Sequence, residues 1–342
     1  MNPAEKARRR RARRVLLCLA LLLVGLMLVS FRLGRYPATL KETLGILVGR
    51  WFGVEPFWDK STFNAVWNVR FPRILLSCLV GLSLSAAGSV YQGLFQNPMA
   101  SPDILGATKG AAFGAAMAIF LGLGSQFITL AAFVSGIAAV SLVWLVGRKT
   151  RGKQVLGLIL AGIMVSSLFE AGTSILKVMM DPDDQLPALT FWLMGGLNGV
   201  KWSNLGFALP GMVVGLVPLF LLRWRLNLLT LGDEEARAMG VNAKAVRLVA
   251  ILGSTLATAA AVSVSGSIGW VGLVVPHIAR RLVGNDYRYL LPASALTGAV
   301  FLLVVDNISR TLMLTEIPLG ILTAFVGAPF FLWLIIKGGE RV

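Results

Sequence analysis

Long uninterrupted apolar runs leave this chain almost nowhere to fold except a lipid bilayer. A helix needs about 20 apolar residues to cross roughly 30 Å of hydrocarbon. Runs of that kind lie at about 15–31, 71–95, 104–123, 127–147, 155–180, 204–222, 246–265, 290–308 and 319–336. A shorter run at 268–283 is interrupted by Pro276 and crosses only if neighbouring helices satisfy the freed backbone groups. The sequence therefore predicts an all-α integral membrane protein of about ten transmembrane helices. The stretch 188–200 is apolar but short and Gly-rich, and reads as a re-entrant or surface helix. Composition agrees. The chain is 56% hydrophobic and 14% charged, against roughly 45–50% and about 25% in soluble domains. A soluble enzyme, a disordered chain and a disulfide scaffold are excluded. Cys18 and Cys78 sit inside apolar runs and read as small core residues.

The net charge is +16. In a soluble chain that balance points to nucleic acid, but here the positions of the charges decide. With the N-terminus inside, the inner segments hold Lys6, Arg8–Arg11, Arg13, Arg14, Arg148, Lys149, Arg151 and Lys153. They also hold Arg223, Arg225, Arg237, Lys244, Arg247, Arg280, Arg281, Arg288, Lys337 and Arg341, so most of the 32 basic residues share one side. Asp181, Asp183 and Asp184 fall on the other. This satisfies the positive-inside rule with both termini cytoplasmic. No aromatic and basic surface remains for nucleic acid. Residues 1–14 form a basic cytoplasmic head, and 15–338 a single transmembrane domain. Arg32 and Arg35 follow the first run where a signal peptide would carry a cleavage site, so this run reads as an uncleaved anchor. The outer segment 32–70 carries Trp51, Phe52, Phe57, Trp58 and Trp67, and is expected along the outer membrane face.

Catalytic signals are weak. His277 is the single histidine, and no cluster of metal-ligand spacing exists, so no metal site is expected. Gly147 to Gln154 nearly spells a phosphate-binding loop. It lacks the final hydroxyl, and it follows a membrane helix where that loop follows a strand. The chain is not expected to be an enzyme by itself. Four ionisable groups lie at bilayer depth: Lys109, Glu170, Lys177 and Asp306. Such groups are costly in lipid. Glu170 and Lys177 are two turns apart, about 10 Å along a helix, so neither reaches the other directly. Lys109 meets Glu170 only through tertiary packing. Asp306 and Arg310 make a good i,i+4 pair. Structural pairing is the favoured reading. A proton or ion relay through Glu170 and Asp306, as in a secondary transporter, is the alternative.

Several segments carry a resemblance. Arg70-Phe71-Pro72-Arg73 opens the second span, and Asn97-Pro98-Met99-Ala100-Ser101-Pro102-Asp103 follows it. Leu231-Gly232-Asp233-Glu234-Glu235-Ala236-Arg237-Ala238-Met239-Gly240 comes later. Gly269 to His277 (GWVGLVVPH), Glu316-Ile317-Pro318-Leu319-Gly320 and Gly327-Ala328-Pro329 complete the set. Together they resemble the FecCD family, the permease subunits of bacterial importers for iron-siderophores, haem and cobalamin.

The resemblance implies an inverted repeat of spans 2–5 and 7–10 and a dimer of permeases, same or related. It implies two cytoplasmic ATPases that hold the ATP and Mg, with no cofactor in this chain. It also implies a periplasmic or lipid-anchored substrate-binding protein, and the cytoplasmic (inner) membrane as location. By the same resemblance, Arg70, Arg73 and Arg310 meet glutamates of the binding protein. The segment 231–242, through Leu231, Gly232, Asp233, Glu235, Ala236, Ala238 and Gly240, seats in the ATPase. Asn97 and Met99 help close the inner gate. Iron-siderophore is the expected cargo, with haem, cobalamin or an oxyanion such as molybdate as alternatives. Lys109 departs from the family pattern, and an added cation there favours an anionic chelate.

Overall fold

The computed structural model describes residues 3–34, 36–52, 55–149 and 154–338. Fourteen α-helices and no strand occur among them. They are α1 (Pro3–Arg32), α2 (Leu40–Phe52), α3 (Lys60–Phe63), α4 (Phe71–Leu94), α5 (Ala107–Phe120), α6 (Ser125–Gly147) and α7 (Gln154–Met179). Next come α8 (Gln185–Met194), α9 (Trp202–Leu229), α10 (Asp233–Ala238), α11 (Ala243–Ser265), α12 (Val271–Val283), α13 (Tyr287–Thr311) and α14 (Leu319–Gly338).

Seven helical segments among the described residues are long and apolar enough to cross a bilayer, and α5 and the Leu319–Leu334 part of α14 are shorter apolar helices. At 14 residues α5 is about 21 Å long, and at 13 residues α12 is about 20 Å. Neither spans the hydrocarbon alone, so each depends on its neighbours. The outer segment is more ordered than the sequence implies. A π-helical stretch, Asn64–Arg70, runs from α3 straight into α4, so the second apolar segment begins at Lys60 rather than near residue 71. The Trp67 ring stacks on Phe63 and Phe71 and packs against Trp202. It anchors α9 to α4 rather than lying free at the headgroups. Trp51 and Phe52 have side chains outside the described set. The expected short helix near 188–200 is α8, which stops at Met194. A turn at Gly195 follows, with φ +70°. There Gly196 N–H donates to the Ser265 carbonyl and Leu319 N–H to the Gly195 carbonyl, each at 2.8 Å. One turn thus ties together the ends of α8, α11 and α14.

Hydrogen bonds fix which helix ends meet. At one end, Gln96 just after α4 donates to the Leu229 carbonyl of α9 at 3.3 Å. Asn227 of α9 donates to Asp286, the N-cap of α13, at 3.0 Å. Arg281 of α12 and Lys337 of α14 both lie over the Trp333 ring. At the other end, the start of α4, the end of α13, the start of α9 and the end of α11 come together. It follows that α4 and α11 run in opposite directions. The helices from α4 to α7 contain 24, 14, 23 and 26 residues, and those from α11 to α14 contain 23, 13, 25 and 20.

The crossings are made by small residues. A Cβ at Gly81 would strike the Gly298 carbonyl, and one at Gly88 the Gly272 carbonyl. Gly215 and Gly253 face each other in the same way between α9 and α11. In lipid, helices are not driven together by apolarity, because the tails are as apolar as the side chains. Close backbone approach and dispersion do that work. Gly88→Ala is therefore expected to destabilise by about 1–3 kcal/mol, as overpacking does. Gly206→Ala, whose Cβ would meet nothing within 4 Å, is expected not to. Thermal unfolding of the detergent-solubilised variants checks this.

Candidate functional site

Three groups of sequence-predicted residues come together in space. At the end of the bundle away from α10, Arg73 lies between two carboxylates. Its Nε donates to Asp306 Oδ1 at 3.0 Å and its Nη1 to Glu316 Oε1 at 3.0 Å. Asp306 also faces Arg310 one turn on, with Arg310 Nε 3.2 Å from Oδ2. This is the intrahelical pair that the spacing predicts. Two guanidinium groups and two carboxylates thus neutralise each other. Arg310 also donates to Asn307 Oδ1 and to the Leu33 carbonyl, and Asn307 donates to Ser30 Oγ. Arg70 donates to the carbonyls of Phe31 and Tyr36. The end of α1, the start of α4 and the end of α13 are therefore stitched by charge-assisted bonds, which are shorter and stronger than neutral ones.

All three arginines are buried, at 5–7% exposure. The expected docking arginines therefore already have partners within the chain. Arg73 also lines a depression of about 430 Å³ with Asn64, Asn68 and Lys201. Glu316 is the participant that pairing rules missed. It was visible only as part of a motif, because it reaches Arg73 from across the turn after α13.

At the basic end, α10 sits between α9 and α11. Gly232 precedes it at φ +128° and Gly240 follows at φ +78°. Both are conformations that residues with a Cβ rarely adopt. Ala236 is fully buried, so it holds α10 against the rest of the chain and does not face outward. Leu231, Glu235, Arg237, Ala238 and Met239 are exposed. The Asp233 side chain lies outside the described set.

Beyond α4, Asn97 Oδ1 accepts from Met99 N–H at 2.8 Å, closing the turn, and the Met99 side chain is exposed. His277 Nε2 lies 2.8 Å from the Pro98 carbonyl, so this ring fixes α12 to that turn. Residues 150–153, between α6 and α7, fall outside the described residues. Asp286 has a carboxyl below the usual range. Burial works to raise it, but hydrogen bonds from Arg288 and Asn227 and the Arg288 charge outweigh that.

The third group is midway along α7. Lys109 Nζ is 2.7 Å from Glu170 Oε1, the contact that needed tertiary packing. Both side chains are exposed, on a face that also shows Ile163, Met164, Leu168 and Ile175. A lone charge at bilayer depth is costly, and here each of the two charges has the other as its partner. Of the two cysteines expected in the core, Cys78 is buried, but Cys18 is exposed on α1.

Residues 21–337 match the model of the FecCD transport family. The chain belongs to that family. Among curated relatives, it is 40% identical over 324 residues to the molybdate import system permease protein MolB of Haemophilus influenzae, covering 95% of this chain and 96% of that one. It is also 40% identical over 272 residues to a probable iron chelatin transport system permease protein of Helicobacter pylori, covering 80% and 82%. Among solved structures it matches one described as an inward-facing conformation of a metal-chelate type ABC transporter. That match has TM-score 0.85 and 39% identity over 95% of this chain and 99% of that one. The family resemblance carried by the sequence motifs therefore holds over nearly the whole chain.

Breaking a buried ion pair costs about 3–5 kcal/mol, because the surviving charge is left without a partner. Asp306→Asn is expected to lower the unfolding temperature of the FecCD protein more than Glu316→Gln does. The Asp306 side chain is 0% exposed and serves two arginines, whereas Glu316 is 26% exposed and serves one. Equal shifts in a thermal melt would contradict the arrangement.

Proposed function

We propose that this chain is the transmembrane permease subunit of an ATP-binding-cassette importer, carrying a metal chelate of the iron-siderophore type into the cytoplasm of a bacterium. The observation that carries the reading is the near full-length likeness to an inward-facing metal-chelate transporter. In this reading the chain crosses the inner membrane ten times, with both termini and α10 in the cytoplasm. The helices from α4 to α7 and from α11 to α14 form the inverted repeat. Their matched lengths and the opposed directions of α4 and α11 support it.

The permease works as a dimer, and cargo passes between the subunits along the faces of α7 and α14. Both faces expose large apolar side chains, including Val178 and Phe325, and that of α7 also bears the Lys109–Glu170 pair. An apolar lining binds cargo weakly, which suits passage. A binding protein docks on the outer end, where an acidic side chain enters the depression above Arg73. Arg70 and Arg310 hold the helices that frame it. Asn97 and Met99 belong to the inner gate.

Two ATPase subunits grip α10 from the cytoplasm. A shift of about 100:1 in either direction needs roughly 5.5 kcal/mol of differential interaction, and nucleotide binding at a partner is a source of that size. Leu231, Ala238 and Met239 are the exposed contacts, and Gly232 and Gly240 set the turns on which α10 swings.

Ala238→Trp is expected to abolish co-purification of the ATPase with a tagged chain, and uptake with it, while the unfolding temperature of the permease stays unchanged. Retained association and uptake would overturn the coupling role. Uptake scanned over ferric siderophores, haem, cobalamin and molybdate identifies the cargo, with a ferric siderophore expected to be the one accumulated.

A further inference from the structure

The first helix carries a feature that transport does not use. Two rows of side chains descend α1 at i,i+4 spacing, so each row lies on one strip of the helix surface. One row is Lys6, Arg10 and Arg14, followed by Cys18 and Leu22. The row beside it is Arg11, followed by Val15 and Leu19. Both rows change from cationic to apolar at the same level. Together they line a groove of about 740 Å³, to which α12 contributes Leu282.

The level of that change is set by length. From Arg14 to Arg32 is about 27 Å of helix, close to the thickness of the hydrocarbon. Arg14 therefore lies at one headgroup layer when Arg32 lies at the other. Among the described residues, no carboxylate pairs with Lys6, Arg10, Arg11 or Arg14, because Glu5 is engaged by Arg9 at 2.6 Å. Cations stacked one turn apart repel each other until an anion joins them. Cys18 is exposed, so the apolar part of the groove opens outward, to the lipid.

We propose that this groove binds one anionic phospholipid of the inner leaflet. Its phosphate is held by Arg10, Arg11 and Arg14, and an acyl chain lies along Val15, Cys18, Leu19 and Leu22. Basic pockets beside transmembrane helices on the cytoplasmic side suit such headgroups. The inference rests on the proposed function only for which side faces the cytoplasm. Lipid binding is measured without transport, so the two fail separately.

The test uses the full chain, delipidated in detergent and titrated with palmitoyl-oleoyl phosphatidylglycerol or phosphatidylcholine. Native mass spectrometry counts bound lipid, and methyl methanethiosulfonate reports on Cys18, since Cys78 is buried. The expected result is a first phosphatidylglycerol bound well ahead of phosphatidylcholine, with Cys18 protected by the former alone. Arg10→Gln/Arg14→Gln is expected to reduce that preference by about 25-fold, at about fivefold per lost cation. Arg8→Gln/Arg13→Gln removes the same net charge from outside the groove, leaves the Arg9–Glu5 pair in place, and is expected to retain both the preference and the protection. Equal binding of the two lipids, unprotected Cys18, or equal losses in the two double variants would overturn the proposal; the last is the signature of diffuse attraction to the whole basic head.

Discussion

Backbone-to-backbone contact at glycine crossings is what the rest of this structure depends on. Where α4 meets α12 and α13, and where α9 meets α11, the facing residues have no side chain to keep the helices apart. Bilayer lipids give apolar side chains no reason to leave them, so the bundle is held by fit rather than by escape from water. Fit of this kind is unforgiving, and α4 and α11 are the most buried of the long apolar helices. The short helices α5 and α12 cannot span the membrane alone. Gly110 and Gly114 seat α5 closely on α6, and Gly272 seats α12 on α4, so both hold their depth through their neighbours.

The two ends of the bundle are fastened differently. The end away from α10 is held by charge: Arg73 between Asp306 and Glu316, and Arg310 on Asp306. Both Asp306 oxygens face arginines and the side chain is closed to solvent, which is the geometry of an anchor between α4 and α13. The basic end is held mainly by neutral hydrogen bonds, Gln96 on the Leu229 carbonyl, His277 on the Pro98 carbonyl and Tyr287 on the Ser89 carbonyl, with Asn227 bridging to Asp286 and the Tyr287 N–H.

Much of this was legible in the sequence, for identifiable reasons. Apolar run length locates helices directly, and the Asp306–Arg310 pair follows from helical spacing alone. The Lys109–Glu170 pair was conceivable but not derivable, since a separation of 61 positions in sequence sets no distance in space. Glu316 was missed because it sits past the end of its helix, where periodicity carries no signal. The resemblance sets Ala236 among the residues that seat in the ATPase, but small residues read alike whether they admit a partner or are themselves packed inward, as Ala236 is. The rings of the 32–70 segment point to a membrane face, but that Trp67 stacks on Phe71 and packs on Trp202, 135 positions away, is a contact no local pattern reveals.

In the proposed importer this chain supplies a path and a mechanical linkage while a separate ATPase supplies the free energy. Reconstituting the chain into liposomes with its ATPase and binding protein, and measuring cargo accumulation in the presence of an uncoupler, separates this from ion coupling. Accumulation is expected to persist with the uncoupler and to stop when the ATPase is omitted. Accumulation by the chain alone, collapsing as the proton gradient is removed, would contradict it.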